Sequence, residues 1–329
     1  YEGRAKGYTS AREGHPNADV LAGLIDGLEG SDGGLVLGSG MAAVSVSLLA
    51  NLTAGDHVIG ADQLYGRSLR LMREDLRRLG IQTTLVDPTN VAQVAAGVRP
   101  ETRIILVETV SNPTLRIADL EGIAALARER SILLAVDNTF TTPRGLRPLE
   151  LGADIVIHSV TKLLAGHSDA TLGYATARDP AIRERMHLLA ATMGFTPSPF
   201  DCWLAERGLY SFNLRFDRSV ETAERLAGAL AGARGVRRVV YPTRPDHPDH
   251  NRAVGLLNGI GGNMVSFELD GGRSEVNRFV RAVSPIPFAP TLGDIGTTIS
   301  HPASSSHRAL SEDQRLELGI PEGLSLIHI

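Results

Sequence analysis

Cysteine is nearly missing from this chain: Cys202 stands alone, so no intrachain disulfide can form and any multi-cysteine metal site is excluded. A lone thiol fits a reducing compartment. Long hydrophobic runs are missing as well, and the longest fall well short of the roughly 20 residues of a membrane span. Neither sign of charge dominates. The 33 Lys+Arg against 37 Asp+Glu give a formal net charge of -4, with no basic block, which removes the electrostatic grounds for nucleic-acid binding. The dinucleotide fingerprint Gly-x-Gly-x-x-Gly does not follow the first expected strand, and a P-loop ending in Gly-Lys-Ser or Gly-Lys-Thr is absent. Both gaps disfavour a nicotinamide or nucleotide enzyme. His15, His158 and His167 do not form His-Glu-x-x-His and have no cysteines near them, so no metal is expected. There is no internal repeat, no low-complexity tract and no signal-peptide pattern; the chain starts at Tyr1 and is read as cut at that end.

What is present is a long alternation. The chain has 329 residues, 43% of them apolar, enough for one large domain and a smaller one. Residues 1–18 are polar and turn-rich. Val20, Leu21, Leu24, Ile25 and Leu28 then recur at helical spacing up to Glu29-Gly30. Short apolar runs at 34–37, 57–60, 82–86, 102–107, 132–136 and 153–157 read as strands, separated by helical segments at about 41–52, 69–79, before Pro100, 117–129 and up to Leu151; 170–175 adds a further strand. Strands of this length alternating with helices predict a mainly parallel sheet covered on both faces. Residues 195–200, with Pro197 and Pro199, read as a loop. A helix over 213–231, a strand at 236–241, an alternating strand at 263–269 and a helix near 274–283 predict a smaller α+β domain from about residue 205.

In such sheets ligands bind beyond the carboxyl ends of strands, and Glu108, Asp137 and Ser159 to Lys162 all fall there. A lysine able to form an imine and an aspartate able to pair with a ring nitrogen are the two fixed points of pyridoxal-phosphate chemistry. Ser159 and Thr161 offer hydroxyls to a phosphate. Ser39-Gly40-Met41 opens a helix whose backbone N–H groups and dipole favour an anion. Tyr65 is suited to stack on a ring, Asn112 to bond its phenolate, and Arg12 to fork onto a phosphate. Taken singly each has a plainer reading: a surface lysine or arginine, an Asp or Ser helix cap, a half-buried tyrosine, an Asn-Pro turn. Their convergence carries the inference.

The chain resembles the Cys/Met-metabolism family of fold-type-I pyridoxal-phosphate enzymes over positions 5 to 323. The motifs are Gly38-Ser39-Gly40-Met41-Ala42-Ala43, Asp62 to Gly66, Glu108-Thr109 through Asn112-Pro113, Val136-Asp137-Asn138-Thr139 and Ser159 to Asp169, then Ser198-Pro199-Phe200, Arg207-Gly208-Leu209, Tyr241-Pro242 and His247-Pro248. The resemblance implies an α/β, aspartate-aminotransferase-like fold: a partial N-terminal arm (1–18), a large cofactor-binding domain (19–205) and a small C-terminal domain (206–323). It makes pyridoxal 5'-phosphate the cofactor and Lys162 the Schiff-base lysine, with Asp137 on the pyridine nitrogen. Tyr65 stacks on the ring and is also a candidate proton shuttle. Ser39, Gly40, Met41, Ser159 and Thr161 hold the phosphate, Glu108 and Asn112 lie on the cofactor side, and Arg12 reaches a neighbouring subunit's phosphate. A cytoplasmic homotetramer of two catalytic dimers acting on a small amino acid is implied, with no nucleic-acid or membrane partner.

Within the family the reading is cystathionine gamma-lyase-like C–S elimination, with cystathionine gamma-synthase or O-acylhomoserine sulfhydrylase chemistry as the alternative and an inactive truncated member as the non-enzyme reading. Departures bear on the substrate. Ser10 stands two residues before Arg12 where the family has Tyr. Arg67 replaces a Gly or Cys, which argues against methionine gamma-lyase, and faces a second carboxylate, a leaving-group phosphate or solvent. In Thr291-Leu292-Gly293-Asp294-Ile295-Gly296-Thr297 the family's glutamate has become Gly296, which weakens the gamma-lyase assignment, while Thr297 stays near a substrate carboxylate. The last six residues, 324–329, match the translated end of a sequencing-library adaptor, so native sequence is expected to stop near 323. The family's carboxylate-binding arginine is expected near Leu326; its loss is attributed to the non-native tail, and a native leucine there would imply an unusual substrate.

Overall fold

The computed structural model describes residues 7–289, 291–308 and 310–329. Residues 1–6 of the expected arm lie outside them. The elements make two sheets. The large one has seven strands: β1 (Leu35–Leu37), β2 (His57–Ala61), β3 (Gln82–Val86), β4 (Thr102–Glu108), β5 (Leu133–Asp137), β6 (Ile155–Ser159) and β7 (Gly173–Ala177), in the order β1-β7-β6-β5-β4-β2-β3. The run from β6 to β3 is parallel, and β7 is antiparallel to both β6 and β1. Its strands read as continuous apolar segments because helices cover both faces, and Ile104, Ile105, Val107, Leu134, Val136, Ile155 and Ile157 are all almost wholly buried.

The small sheet holds β8 (Val236–Val240), β9 (Met264–Leu269), β10 (Thr298–Ser300) and β11 (Leu324–His328), ordered β10-β11-β9-β8 and antiparallel throughout. Helices Phe212–Ala231 and Gly272–Ala282 pack on it, closing a core of Ala223, Ala227, Val239, Val265, Phe267, Ile299 and Ile327. The six-residue tail set apart by its adaptor-like sequence thus forms a buried inner strand here, with Leu326 in the large hydrophobic cluster and Ile327 in the small one.

Several elements differ from the sequence reading, helix Pro180–Met193 and strands β10 and β11 among them, and two of the differences have identifiable reasons. The prolines at 197–199 do not extend a loop: Pro199 is the first residue of helix Pro199–Leu209, and Ser198 caps it by accepting from Asp201 N–H. The helix expected at 69–79 starts earlier, at Gly66, and carries a π turn over Leu71–Asp75, where Thr83 Oγ1 donates to the Met72 carbonyl at 2.9 Å.

Candidate active site

The carboxyl ends of β4, β5 and β6 carry the site. Glu108 and Asp137 are paired in register at the ends of β4 and β5. Asp137 Oδ1 accepts from Thr139 N–H (3.0 Å) and Thr139 O–H (2.5 Å), and the same hydroxyl accepts from Ser159 N–H at 2.8 Å. Thr139 therefore bolts Asp137 to the segment that ends in the lysine. Burial pushes the Asp137 carboxyl up, and the Thr139 donors and His158 pull against it.

Beyond β6 the chain turns tightly. Lys162 N–H donates to Ser159 O at 3.1 Å, and Thr161 closes on Leu172, its N–H and hydroxyl both reaching the Leu172 carbonyl and its Oγ1 accepting the Leu172 N–H. Arg215 clamps the residues after the lysine, donating to the carbonyls of Leu163 (3.0 Å) and Leu164 (3.1 Å) and also to that of Gly208 (2.9 Å). Lys162 is half-buried. Its Nζ is 3.5 Å from Thr291 Oγ1 and forms no ion pair among the described residues. Burial alone lowers its pKa, which makes the free amine accessible nearer neutrality.

The start of helix Gly40–Leu49 meets this turn. Ser39 caps the helix, accepting from Ala42 N–H, and a Cβ on Gly40 would lie 2.7 Å from Ser159 Cβ. Only glycine lets the backbone amides come so close to the β6 end. That leaves an N–H-rich corner beside the Ser159 hydroxyl, and such a corner suits a phosphate. Tyr65, 53% exposed, precedes helix Gly66–Arg70, and its backbone N–H donates to Glu108 Oε1 at 2.6 Å. Met41 Sδ takes the Ser68 hydroxyl at 3.8 Å, tying the phosphate corner to the Tyr65 helix. Asn112 is half-buried in the loop leaving β4.

Three expected residues stand apart. Arg12 donates to the Ala191 carbonyl at 3.2 Å, away from the Lys162 cluster of its own chain. Arg67 is exposed. Thr297 lines a recess with Leu163, Arg215 and Ser219. In its motif the residues nearest the lysine are instead Thr291 and Gly293: a Cβ on Gly293 would fall 2.6 Å from Lys162 Cα, and its φ is +86°. Neither was expected at the lysine, although both belong to the same seven-residue motif as Gly296 and Thr297. A further signal lies in the composition. Among 33 cationic residues the only lysines are Lys6 and Lys162.

The residues fit a phosphorylated pyridine aldehyde on three observations: a glycine cradle that a single Cβ would fill, a half-buried amine with no carboxylate partner among the described residues, and Glu108 Oε2 buried without a partner beside Asp137.

Comparisons with known proteins agree. A family model described as Cys/Met metabolism PLP-dependent enzyme matches residues 1–329. Cystathionine beta-lyase MetC of Bacillus subtilis (strain 168) is 40% identical over 96% of this chain and 80% of its own, and cystathionine gamma-lyase of the same organism is 37% identical over 99% and 86%. The crystal structure of cystathionine gamma synthase from Xanthomonas oryzae pv. oryzae in complex with cystathionine superposes with a TM-score of 0.95 at 36% identity, covering 99% of this chain and 84% of that one.

Proposed function

The chain belongs to the Cys/Met metabolism PLP-dependent enzyme family, and from that premise we propose that it cleaves a C–S bond of cystathionine on the gamma side. It is a pyridoxal-phosphate-dependent enzyme of sulfur amino-acid metabolism. The observation that carries the proposal is the half-buried amine of Lys162, set between the Ser159 turn and Thr291.

When bound, pyridoxal 5'-phosphate supplies an electrophilic carbon and a ring that takes up electron density. The protein's residues divide the remaining work. Ser39, Gly40 and Met41 give backbone N–H groups to the phosphate, with the hydroxyls of Ser159 and Thr161 beside them. Asp137 holds a proton on the ring nitrogen, Asn112 bonds the phenolate oxygen, and Glu108 sits on the same side. Lys162 Nζ binds the cofactor and then moves the substrate's alpha proton. Tyr65 covers the ring and assists departure of the sulfur. Arg67, exposed beside Tyr65, and Thr297, in the recess beside Leu163, are left as the weaker candidates for the substrate's carboxylates. Arg12, unengaged with its own site, reaches a neighbouring subunit's phosphate in a cytoplasmic tetramer of catalytic dimers. Residues 19–205 form the cofactor domain and 206–323 the small domain.

Cystathionine and water yield cysteine, 2-oxobutyrate and ammonia by gamma cleavage, and homocysteine, pyruvate and ammonia by beta cleavage. Gly296, in place of the family's glutamate, favours keeping beta cleavage as a second reading. Purified protein loaded with cofactor is given cystathionine and its 2-oxo acid identified: 2-oxobutyrate supports the proposal, pyruvate replaces it with the second reading. Product appearing only with O-acyl homoserine and cysteine together would make the enzyme a gamma-replacement catalyst.

A further inference from the structure

Glu108 is the last residue of β4 and is paired in register with Asp137, the last residue of β5, so the two side chains leave the sheet on the same face. Glu108 is only 6% exposed. Its Oε1 accepts the Tyr65 N–H at 2.6 Å, while Oε2 is buried and without a partner. Asp137 and the Tyr65 N–H act on Glu108, and the Thr139 donors and His158 act on Asp137. Burial, and then the charge of Asp137, push the Glu108 carboxyl well above the usual range, against one opposing N–H. Asp137 has two donors from Thr139. Neighbouring carboxyls deprived of water do not both ionise, and the charge settles on the one with more donors. Oε2 of Glu108 is the free position where the proton adds.

Glu108 also reaches further than Asp137. Tyr65 precedes helix Gly66–Arg70 as its N-cap residue, with φ -46° and ψ 137°, and no side chain caps that helix. The bond from Tyr65 N–H to Glu108 ties the start of the helix to the sheet edge.

We propose that Glu108 is a positioning residue for Tyr65: as the protonated member of the Glu108–Asp137 pair it holds the Tyr65 main chain, and with it the ring, at the cofactor, and it leaves the negative charge on Asp137. This rests on the reading of Tyr65 and Asp137 as cofactor contacts. An ionised Glu108 would be a second negative charge competing for the ring nitrogen's proton, and an apolar residue would leave Tyr65 N–H without its acceptor.

Two readouts test it: hydrogen exchange of the Tyr65 amide, by mass spectrometry of overlapping peptides that span that residue, and the pH midpoint of the visible band of the cofactor-loaded enzyme. Glu108→Gln is neutral and still accepts the N–H. It is expected to keep exchange within about threefold and the midpoint within about half a unit. Glu108→Leu cannot accept, and exchange is expected to rise about tenfold or more. A Gln variant whose midpoint moves by about one unit or more would overturn the protonated assignment. A folded Leu variant with unchanged exchange would overturn the positioning role. Where far-UV circular dichroism shows the Leu variant unfolded, the two Gln readouts decide alone. Failure of the underlying reading is separable: wild-type protein that never takes up pyridoxal phosphate on Lys162 sinks that reading, whereas Tyr65 exchange is measured equally well in cofactor-free protein.

Discussion

Lys162 concentrates the amine chemistry of the chain in one place. Arginine supplies nearly all the positive charge, so a hydride-trapped lysine adduct can come only from Lys6 or Lys162. Arginine stays charged when buried, whereas a lysine gives up its proton, which explains why a site that needs a free amine uses the rarer residue. Burial lowers the Lys162 pKa, so between its folded value and the ordinary value near about 10.4 the unfolded chain binds more protons than the folded one. Stability therefore rises with pH across that window, and below it the full cost of burying an ammonium is present. Lys162→Met removes that cost. In cofactor-free protein the melting temperature should rise by a few degrees at neutral pH, with the gain shrinking toward zero as pH approaches the ordinary lysine value. Differential scanning calorimetry at several pH values checks this, and a uniform gain or a loss at neutral pH would count against it.

Helix Pro16–Glu29 shows how an element outside the site holds the strands that carry it. Its last turn sends two acids under the sheet. Asp26 accepts from Tyr174 Oη (2.5 Å), Ser31 Oγ (2.9 Å) and Gly34 N–H (3.1 Å); Glu29, fully buried, takes His158 Nε2 and the Asn138 amide. His158 precedes Ser159, and Asn138 follows Asp137, so this helix braces both active strands from behind. Removing the imidazole strands a buried carboxyl: His158→Leu should cost about 3 kcal/mol, and adding Glu29→Leu should recover much of it. Urea unfolding of the single and double variants measures both; a double variant as weak as the sum of the singles would show that the pair acts independently. The helix itself was legible in the spacing of Leu21, Ile25 and Leu28, as were the strands, and 82–86 matches residue for residue. What stayed illegible were elements whose cause is distant. The π turn depends on Thr83, β10 is three residues long and is held by β11, and Thr291 lies 129 residues from the lysine it meets. The placement of Asp137, Gly40 and the turn to Lys162 at strand and helix ends was legible because each lies within a single unit.

At the scale of the whole molecule the site is shared by two sheets, and the loop after β4 is where they join. Ser266 Oγ donates to Pro113 O, His247 Nε2 meets Leu115 O at 3.0 Å, Asp249 accepts the Ile117 N–H and Arg252 donates to the Ile117 and Thr89 carbonyls. Through this junction the small sheet presents one side to Lys162. His328, on β11, is pushed down to about 3 by burial and then by the charge of Lys162, which places that side of the strand toward the amine. Leu326, two residues earlier, points the same way. It pairs with Ser266 and Ser300 and is 1% exposed, an apolar group at the position where the family resemblance expects an arginine for the substrate carboxylate. A buried leucine can exclude water there but cannot fork onto a carboxylate. Leu326→Arg should then raise kcat/KM for an amino-acid substrate at least tenfold, about 1.4 kcal/mol of transition-state stabilisation, and Leu326→Lys should gain less because a point charge lacks the bidentate geometry. Steady-state kinetics on cofactor-loaded variants decides. A folded Leu326→Arg protein with unchanged or lower kcat/KM would mean that the substrate carboxylate is held elsewhere, with Arg67 the next residue to substitute.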